Sequence, residues 1–110
     1  NAGSCNLRTV AETPVFVRYA AEVWPDAERQ EFINFIAANS EAGDIIRGSG
    51  GCRKVRWSRS GAGKSGGVRV IYFLATEGTV WLLIVYSKAK FDNLPASFLA
   101  QLKKGVEDAI

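Results

Sequence analysis

The hydrophobic period of this chain changes near Gly48, and that change decides what it can fold into. Before it, apolar residues recur at spacings of three and four; after it, they alternate or run continuously over six or seven residues. Arg8 to Glu12 reads as a short strand ahead of the helices. Thr13-Pro14 reads as an N-cap followed by a proline at the first helical position, where a missing N–H costs nothing. The helix is expected to reach about Val23, with Phe16, Tyr19, Ala20 and Val23 on one stripe. Pro25 stops it and Asp26 caps a second helix, which buries Phe32, Phe35 and Ile36, keeps Glu28 and Glu31 wet, and ends near Ala38–Asn39. Past the turn cluster Ser49-Gly50-Gly51, Arg53 to Ser58 alternates: Arg53, Val55 and Trp57 face one way, Lys54, Arg56 and Ser58 the other. Val68–Leu74 and Val80–Tyr86 are two more strands, joined around Glu77-Gly78, and the second is apolar on both faces, as an interior strand is. Pro95 opens a last helix with Phe98, Leu99, Leu102 and Val106 inward. The expected fold is α+β: an N-terminal helical pair packed on a small antiparallel meander, with a C-terminal helix, in two layers. Residues 1–110 read as one domain. Trp24, Trp57, Trp81 and Phe73 fall where a helix–sheet core needs them, whereas Tyr86, at a strand end, is expected to be more open.

Missing residue types narrow the chemistry. The 110 residues include no His, which removes the usual general base and the commonest metal ligand together. Cys5 and Cys52 are the only thiols, far apart and in no CxxC pairing, so neither a metal site nor another cofactor is expected, and both read as reduced thiols. The longest apolar run, Val80 to Tyr86, is far short of the ~20 residues of a membrane-spanning helix. No charged-then-apolar leader opens the sequence, so neither secretion nor a membrane partner is expected.

Charge is segregated. Residues 1–46 hold three basic groups against seven acids, residues 47–90 nine basic groups against Glu77 alone, and residues 91–110 two basic groups against three acids. The net of +3 therefore conceals a middle block of +8 behind an acidic first third, the footprint expected for a phosphate backbone. Gly61-Ala62-Gly63-Lys64-Ser65 imitates the tail of a phosphate-binding P-loop, but the first glycine of that motif would fall on Ser58. The segment also leads into the strand at Val68 rather than a helix whose N-terminus could face phosphates. It reads instead as a hairpin loop carrying Arg59 and Lys64 toward a polyanion.

The remaining cations fall where paired strands can gather them. Lys54 and Arg56 share a face, Arg69 begins the next strand, and Lys88 and Lys90 follow the third. Lysine is the residue type of this set that can take up a proton as a base; arginine keeps its charge and stabilises a phosphorane-like transition state. Such a set suits RNA cleavage without metal, because the substrate's own 2′-OH supplies the nucleophile that DNA lacks. Lys54, Arg56, Arg69 and Lys88 are the expected catalytic residues; Arg53, Arg59, Lys64, Tyr86 and Lys90 are expected to bind the RNA. With no His and no carboxylate facing the cluster, the reaction should be slow unless a partner bends the RNA into line.

Gly43-Asp44-Ile45-Ile46, the run from Gly48 to Trp57, the run from Gly61 to Phe73, and Leu82 to Lys88 together resemble the HigB-type branch of the RelE/ParE toxin superfamily. The likeness extends from about Glu12 into the last helix, and its order and spacing are more specific than any single piece. The resemblance implies a compact RelE-like α+β fold and a toxin of a bacterial type II toxin–antitoxin module. Such a protein acts in the cytoplasm, enters the ribosomal A site, cuts the mRNA there and is neutralised by a cognate antitoxin. Position by position, Lys54 and Arg56 match the paired basic residues of the RelE-type catalytic strand, Arg69 the arginine before the Val-Ile-Tyr stretch, and Lys88 the lysine closing the last strand. Ala89 stands where that pattern has an arginine, Pro95 lies near the place of a catalytic tyrosine, and the histidines of some HigB proteins are missing. These departures keep two alternatives open: a ParE-like toxin that inhibits gyrase without cutting RNA, and a plain nucleic-acid-binding module. The resemblance supplies the ribosome as the partner that strains the RNA. Exposed cations and sheet edges, for their part, invite an acidic or amphipathic antitoxin segment that folds on binding.

Overall fold

The computed structural model describes residues 8–57, 67–87, 90 and 94–109. Five strands, β1 (Val10–Glu12), β2 (Asp44–Ile45), β3 (Arg53–Trp57), β4 (Val68–Leu74) and β5 (Val80–Ser87), form one sheet in the order β1-β5-β4-β3-β2. Three helices, α1 (Pro14–Val23), α2 (Asp26–Ala38) and α3 (Ala96–Ala109), complete the chain. The expected antiparallel meander is present as β3-β4-β5. Two short edges extend it: β2 pairs antiparallel with β3, and β1 pairs parallel with β5, so the sheet is mixed. The layering also departs from expectation. Val70, Tyr72, Leu82 and Val85 pack with Phe16, Ala20, Phe32 and Ile36 of α1 and α2, while Ile71, Phe73 and Ile84 pack with Leu99 of α3. Adjacent strand residues face opposite ways, so the helical pair and α3 cover opposite sides of the sheet. The fold has three layers.

Local chemistry explains the helix ends. Thr13 Oγ1 accepts from the Phe16 amide at 3.1 Å and donates to Leu82 O at 2.9 Å, so one hydroxyl both caps α1 and fastens it to β5. Pro25, rather than Asp26, occupies the cap position of α2; Asp26 is its first residue and, with Glu28, puts negative charge on the first turn. Glu28 is not simply wet, because its carboxylate accepts from Trp57 Nε1 at 2.9 Å and joins α2 to β3. In α3, Leu99 is buried and Leu102 and Val106 pack beside it, but Phe98 is 38% exposed, contrary to expectation.

The doubly apolar β5 has a specific cause. Ile71 pairs with Ile84 and Tyr72 with Leu82, so Leu83 is an extra residue in the ladder. This bulge sets two consecutive side chains, Leu83 and Ile84, on the α3 side, where both are buried. The residues before and after it then continue the alternation in a shifted phase.

The segment between α2 and β3 is tied down by polar contacts. Tyr72 OH accepts from the Gly43 amide and donates to Ser40 O, each at 2.9 Å. Gly43 suits this close approach, since a Cβ there would lie 3.0 Å from the Lys54 carbonyl and the Tyr72 ring and would crowd both. Ser49, fully buried, accepts from the Cys52 amide at 3.0 Å and donates to Ile46 O at 2.6 Å, closing the turn that Gly50 and Gly51 enter with positive φ. Cys52 is a buried free thiol; Cys5 lies outside the described residues.

Burial raises the pKa values of Cys52, Tyr72 and Tyr86 above their ordinary levels. The folded chain therefore holds these protons more tightly than the unfolded one. Stability from this source is intact below the unfolded-chain values and lost as pH climbs through the folded ones. Thermal stability is expected to fall above about pH 9 to 10, with tyrosinate absorbance at about 295 nm rising together with unfolding. Phenols that all titrate at the ordinary value in a still-folded protein would contradict this burial.

Candidate nucleic-acid interface

The β-ladder brings the basic residues together. Arg56 pairs with Arg69, and Arg69 with Tyr86, so the three form one rung across β3, β4 and β5 on the side covered by α3. Lys54, two residues from Arg56, heads a neighbouring rung with Ile71 and Ile84. Directly opposed residues hold their Cβ atoms about 5 Å apart, and same-face neighbours along a strand lie about 7 Å apart. Lys54, Arg56 and Arg69 are thus confined to a patch the size of one nucleotide step. Arg56 is exposed, and Lys54 and Arg69 are half-buried.

The patch concentrates positive charge. Like charges directly opposite in a sheet are destabilising, and Arg56 faces Arg69. Among the described residues, no carboxylate pairs with Lys54, Arg56 or Arg69. Arg29 pairs with Glu12, Lys90 with Glu22 at 2.7 Å, Lys103 with Glu107 at 2.6 Å, and Lys104 with Asp108 at 3.4 Å. Arg8, Arg18, Arg47 and Arg53 also have no carboxylate partner among the described residues, but in this rung two unpaired cations stand directly opposite each other, an arrangement that a bound anion would relieve. Among the described residues no three His, Cys, Asp or Glu side chains gather to hold a metal ion.

Tyr86 lies under the rung and is only 1% exposed, so the expectation of an open tyrosine is corrected. The strand runs on to Ser87 and α3 closes over the ring, burying it with Leu99 and Ile84. Burial pushes the phenol pKa up, and the Arg69 charge pulls it partly back, which places guanidinium and phenol in one electrostatic neighbourhood. Next to the rung is a cavity of about 190 Å³ lined by Ile46, Lys54, Ile71, Tyr86, Leu94, Ala96 and Leu99. Its walls come from the turn before β3, the sheet and the start of α3.

The other expected RNA contacts are placed differently. Arg53 is on the opposite side of the sheet from Lys54 and Arg56; its Nη1 donates to Gly43 O at 2.8 Å and Glu41 O at 3.4 Å. Lys90 donates to Glu22 of α1 and lies 5.1 Å above the Tyr19 ring; the Glu22 hydrogen bond raises its pKa. Lys88, Arg59, Lys64 and the glycine-rich run 61–65 lie outside the described residues. The cavity walls Ile46, Ala96 and Leu99 escaped the reading of the sequence, because the turn and helix that carry them meet the strands only in three dimensions. Arg53→Ala is expected to lower stability by about 1.5 kcal/mol through loss of the clamp on residues 41–43. Urea unfolding measures this, and whatever chemistry the opposite face performs should survive.

The fold of the chain is similar to that of solved RelE toxins. The chain superposes on a free double arginine-to-alanine mutant of the Escherichia coli toxin RelE with a TM-score of 0.60 and 15% identity, covering 88% of this chain and 97% of that one. It superposes on the RelBE2 toxin–antitoxin complex of Mycobacterium tuberculosis with a TM-score of 0.58 and 23% identity, covering 77% of this chain and 95% of the matched one. No family model matches the sequence. Among the described residues, no helix is long and apolar enough to cross a membrane.

Proposed function

We propose that this chain is the toxin of a type II toxin–antitoxin module, an endoribonuclease of the HigB kind that cuts mRNA in the A site of bacterial ribosomes in the cytoplasm. The observation that carries the reading is the unneutralised Arg56–Arg69 rung with Lys54 beside it, on a fold shared with RelE toxins. In this reading the two guanidiniums grip the scissile phosphodiester and stabilise the charge that builds on its oxygens. The ribose 2′-oxygen attacks phosphorus, and the bond from phosphorus to the 5′-oxygen breaks. Lys54 adds its charge beside them; the 2′-OH gives its proton to solvent water and the departing 5′-oxygen takes one from water, leaving a 2′,3′-cyclic phosphate and a 5′-hydroxyl. Lys88, by its match in the resemblance, would add a further cation. No strong acid–base pair is needed if the ribosome holds the RNA near an in-line geometry. A cognate antitoxin would neutralise the protein, as the toxin–antitoxin complex among the similar structures suggests.

The test is translation of a defined message in a purified bacterial system, with its 5′ ends mapped by primer extension. Cuts that require ribosomes support the reading. An intact message with supercoiling by gyrase blocked would assign the chain to the ParE-like alternative.

A further inference from the structure

No carboxylate faces the cationic cluster in the order of residues, but the β-ladder brings one there. Asp44 of β2 pairs with Lys54, so both side chains leave the sheet on the same side, with Cβ atoms about 5 Å apart. Its neighbours fix the phase. Gly43 faces the Tyr72 ring on the side of the helical pair, and Ile46 packs with Cys52 and Leu99 on the side of α3. Arg56 lies on the diagonal, about 7–8 Å from Asp44. Asp44 is exposed, and among the described residues it makes no ion pair. Building on the reading of the rung as a phosphate grip, we propose that Asp44 is a catalytic residue that accepts the proton of the attacking 2′-OH in place of water.

In a near-attack geometry the 2′-oxygen is about 3–3.5 Å from the phosphorus it attacks. With the phosphate on Arg56, a ribose directed toward β2 brings its hydroxyl up to the Asp44 carboxylate. A carboxylate beside a phosphate grip repels the polyanion, and taking up a proton in the reaction accounts for its presence there. Its place is also fixed, although β2 is a two-residue strand at a sheet edge. Just before Asp44, the Gly43 amide donates to the buried Tyr72 hydroxyl at 2.9 Å, and that hydroxyl donates to Ser40 O. Two residues after it, the Ile46 amide donates to Cys52 O at 2.8 Å. An exposed side chain on a backbone held at both ends is preorganised, as a proton acceptor must be. The step balances. The 2′-OH proton passes to a carboxylate oxygen of Asp44, the 2′-oxygen bonds to phosphorus, and the bond to the 5′-oxygen breaks. The 5′-oxygen takes a proton from water, and Asp44 returns its own to solvent.

The test measures single-turnover cleavage of ribosome-bound message by the wild type, Asp44→Asn and Asp44→Ala, with ribosome affinity and thermal unfolding followed on the same preparations. Asp44→Asn is expected to slow cleavage by about tenfold or more. Its affinity should stay level or rise, because a negative charge has left the path of the polyanion. Sodium formate is expected to restore cleavage by Asp44→Ala saturably and to leave the wild type unchanged, since a small carboxylate fills the gap but mends no structural defect. If one variant does not fold, the other decides alone. A wild-type rate in folded Asp44→Asn, a loss that formate does not restore, or unfolding of both variants overturns the role of Asp44 while the nuclease reading stands. No cleavage by the wild type overturns both.

Discussion

Arg69→Ala is expected to lower ribosome-dependent message cleavage by about 10²- to 10³-fold, the usual cost of deleting one donor aimed at developing oxyanion charge. Arg69 is central to the rung, with exposed Arg56 on one side and buried Tyr86 on the other, so its guanidinium can reach a phosphate held by Arg56. The fold should not suffer. Arg69 is half-buried, no carboxylate among the described residues pairs with it, and removing it relieves its repulsion with Arg56. The melting temperature is expected to stay level or rise slightly. Arg69→Lys should recover part of the activity, because an ammonium keeps the charge but loses the two-pronged grip. Primer extension and thermal unfolding on the same preparations check this. Full activity in folded Arg69→Ala would remove Arg69 from the mechanism, and loss of activity together with the fold would make it a structural residue.

Phe32→Ala is expected to produce the largest loss of stability, about 3–5 kcal/mol, against a total of about 5–15 kcal/mol for a domain of this kind. Phe32 has no exposed surface and is the hub of an aromatic cluster. Its ring stacks on Trp24 at 5.4 Å, meets Trp57 edge-on at 5.4 Å and lies 6.3 Å from Phe35. These contacts join α1, α2 and β3, so truncation opens a hole where three elements meet and none can close it alone. Trp57 also belongs to the strand that carries Lys54 and Arg56, which makes the cluster the rigid backing of the cationic face. Denaturant titration followed by tryptophan fluorescence measures the effect. A loss below about 1 kcal/mol would show that the cluster collapses around the gap.

Much of this architecture could be read from residue order. Thr13-Pro14, Pro25 and the aromatic stripe marked α1 and α2, and alternation from Arg53 to Trp57 correctly put Lys54 and Arg56 on a different face from Val55 and Trp57. What failed was long-range or depended on a local irregularity. The parallel pairing of β1 with β5 joins segments about 70 residues apart, and nothing local in Val10–Glu12 announces it. The bulge at Leu83 breaks the period of two, so a doubly apolar strand said nothing of which residue faced α3. With the layering misjudged, Tyr86 read as an open strand end, whereas α3 folds back and buries it. Arg53 adds a contact that no local spacing announces: its guanidinium donates to carbonyls of a loop ten residues earlier.

The decisive measurement uses a message with a single 2′-deoxynucleotide at the mapped cut position, translated by purified ribosomes beside its all-ribose twin. If the cations only orient and neutralise a phosphodiester that its own ribose attacks, the twin is cut and the deoxy message stays whole at that position. A deoxy message cut at the same place and rate would mean that the nucleophile comes from elsewhere, and that Lys54, Arg56 and Arg69 do not promote attack by the ribose.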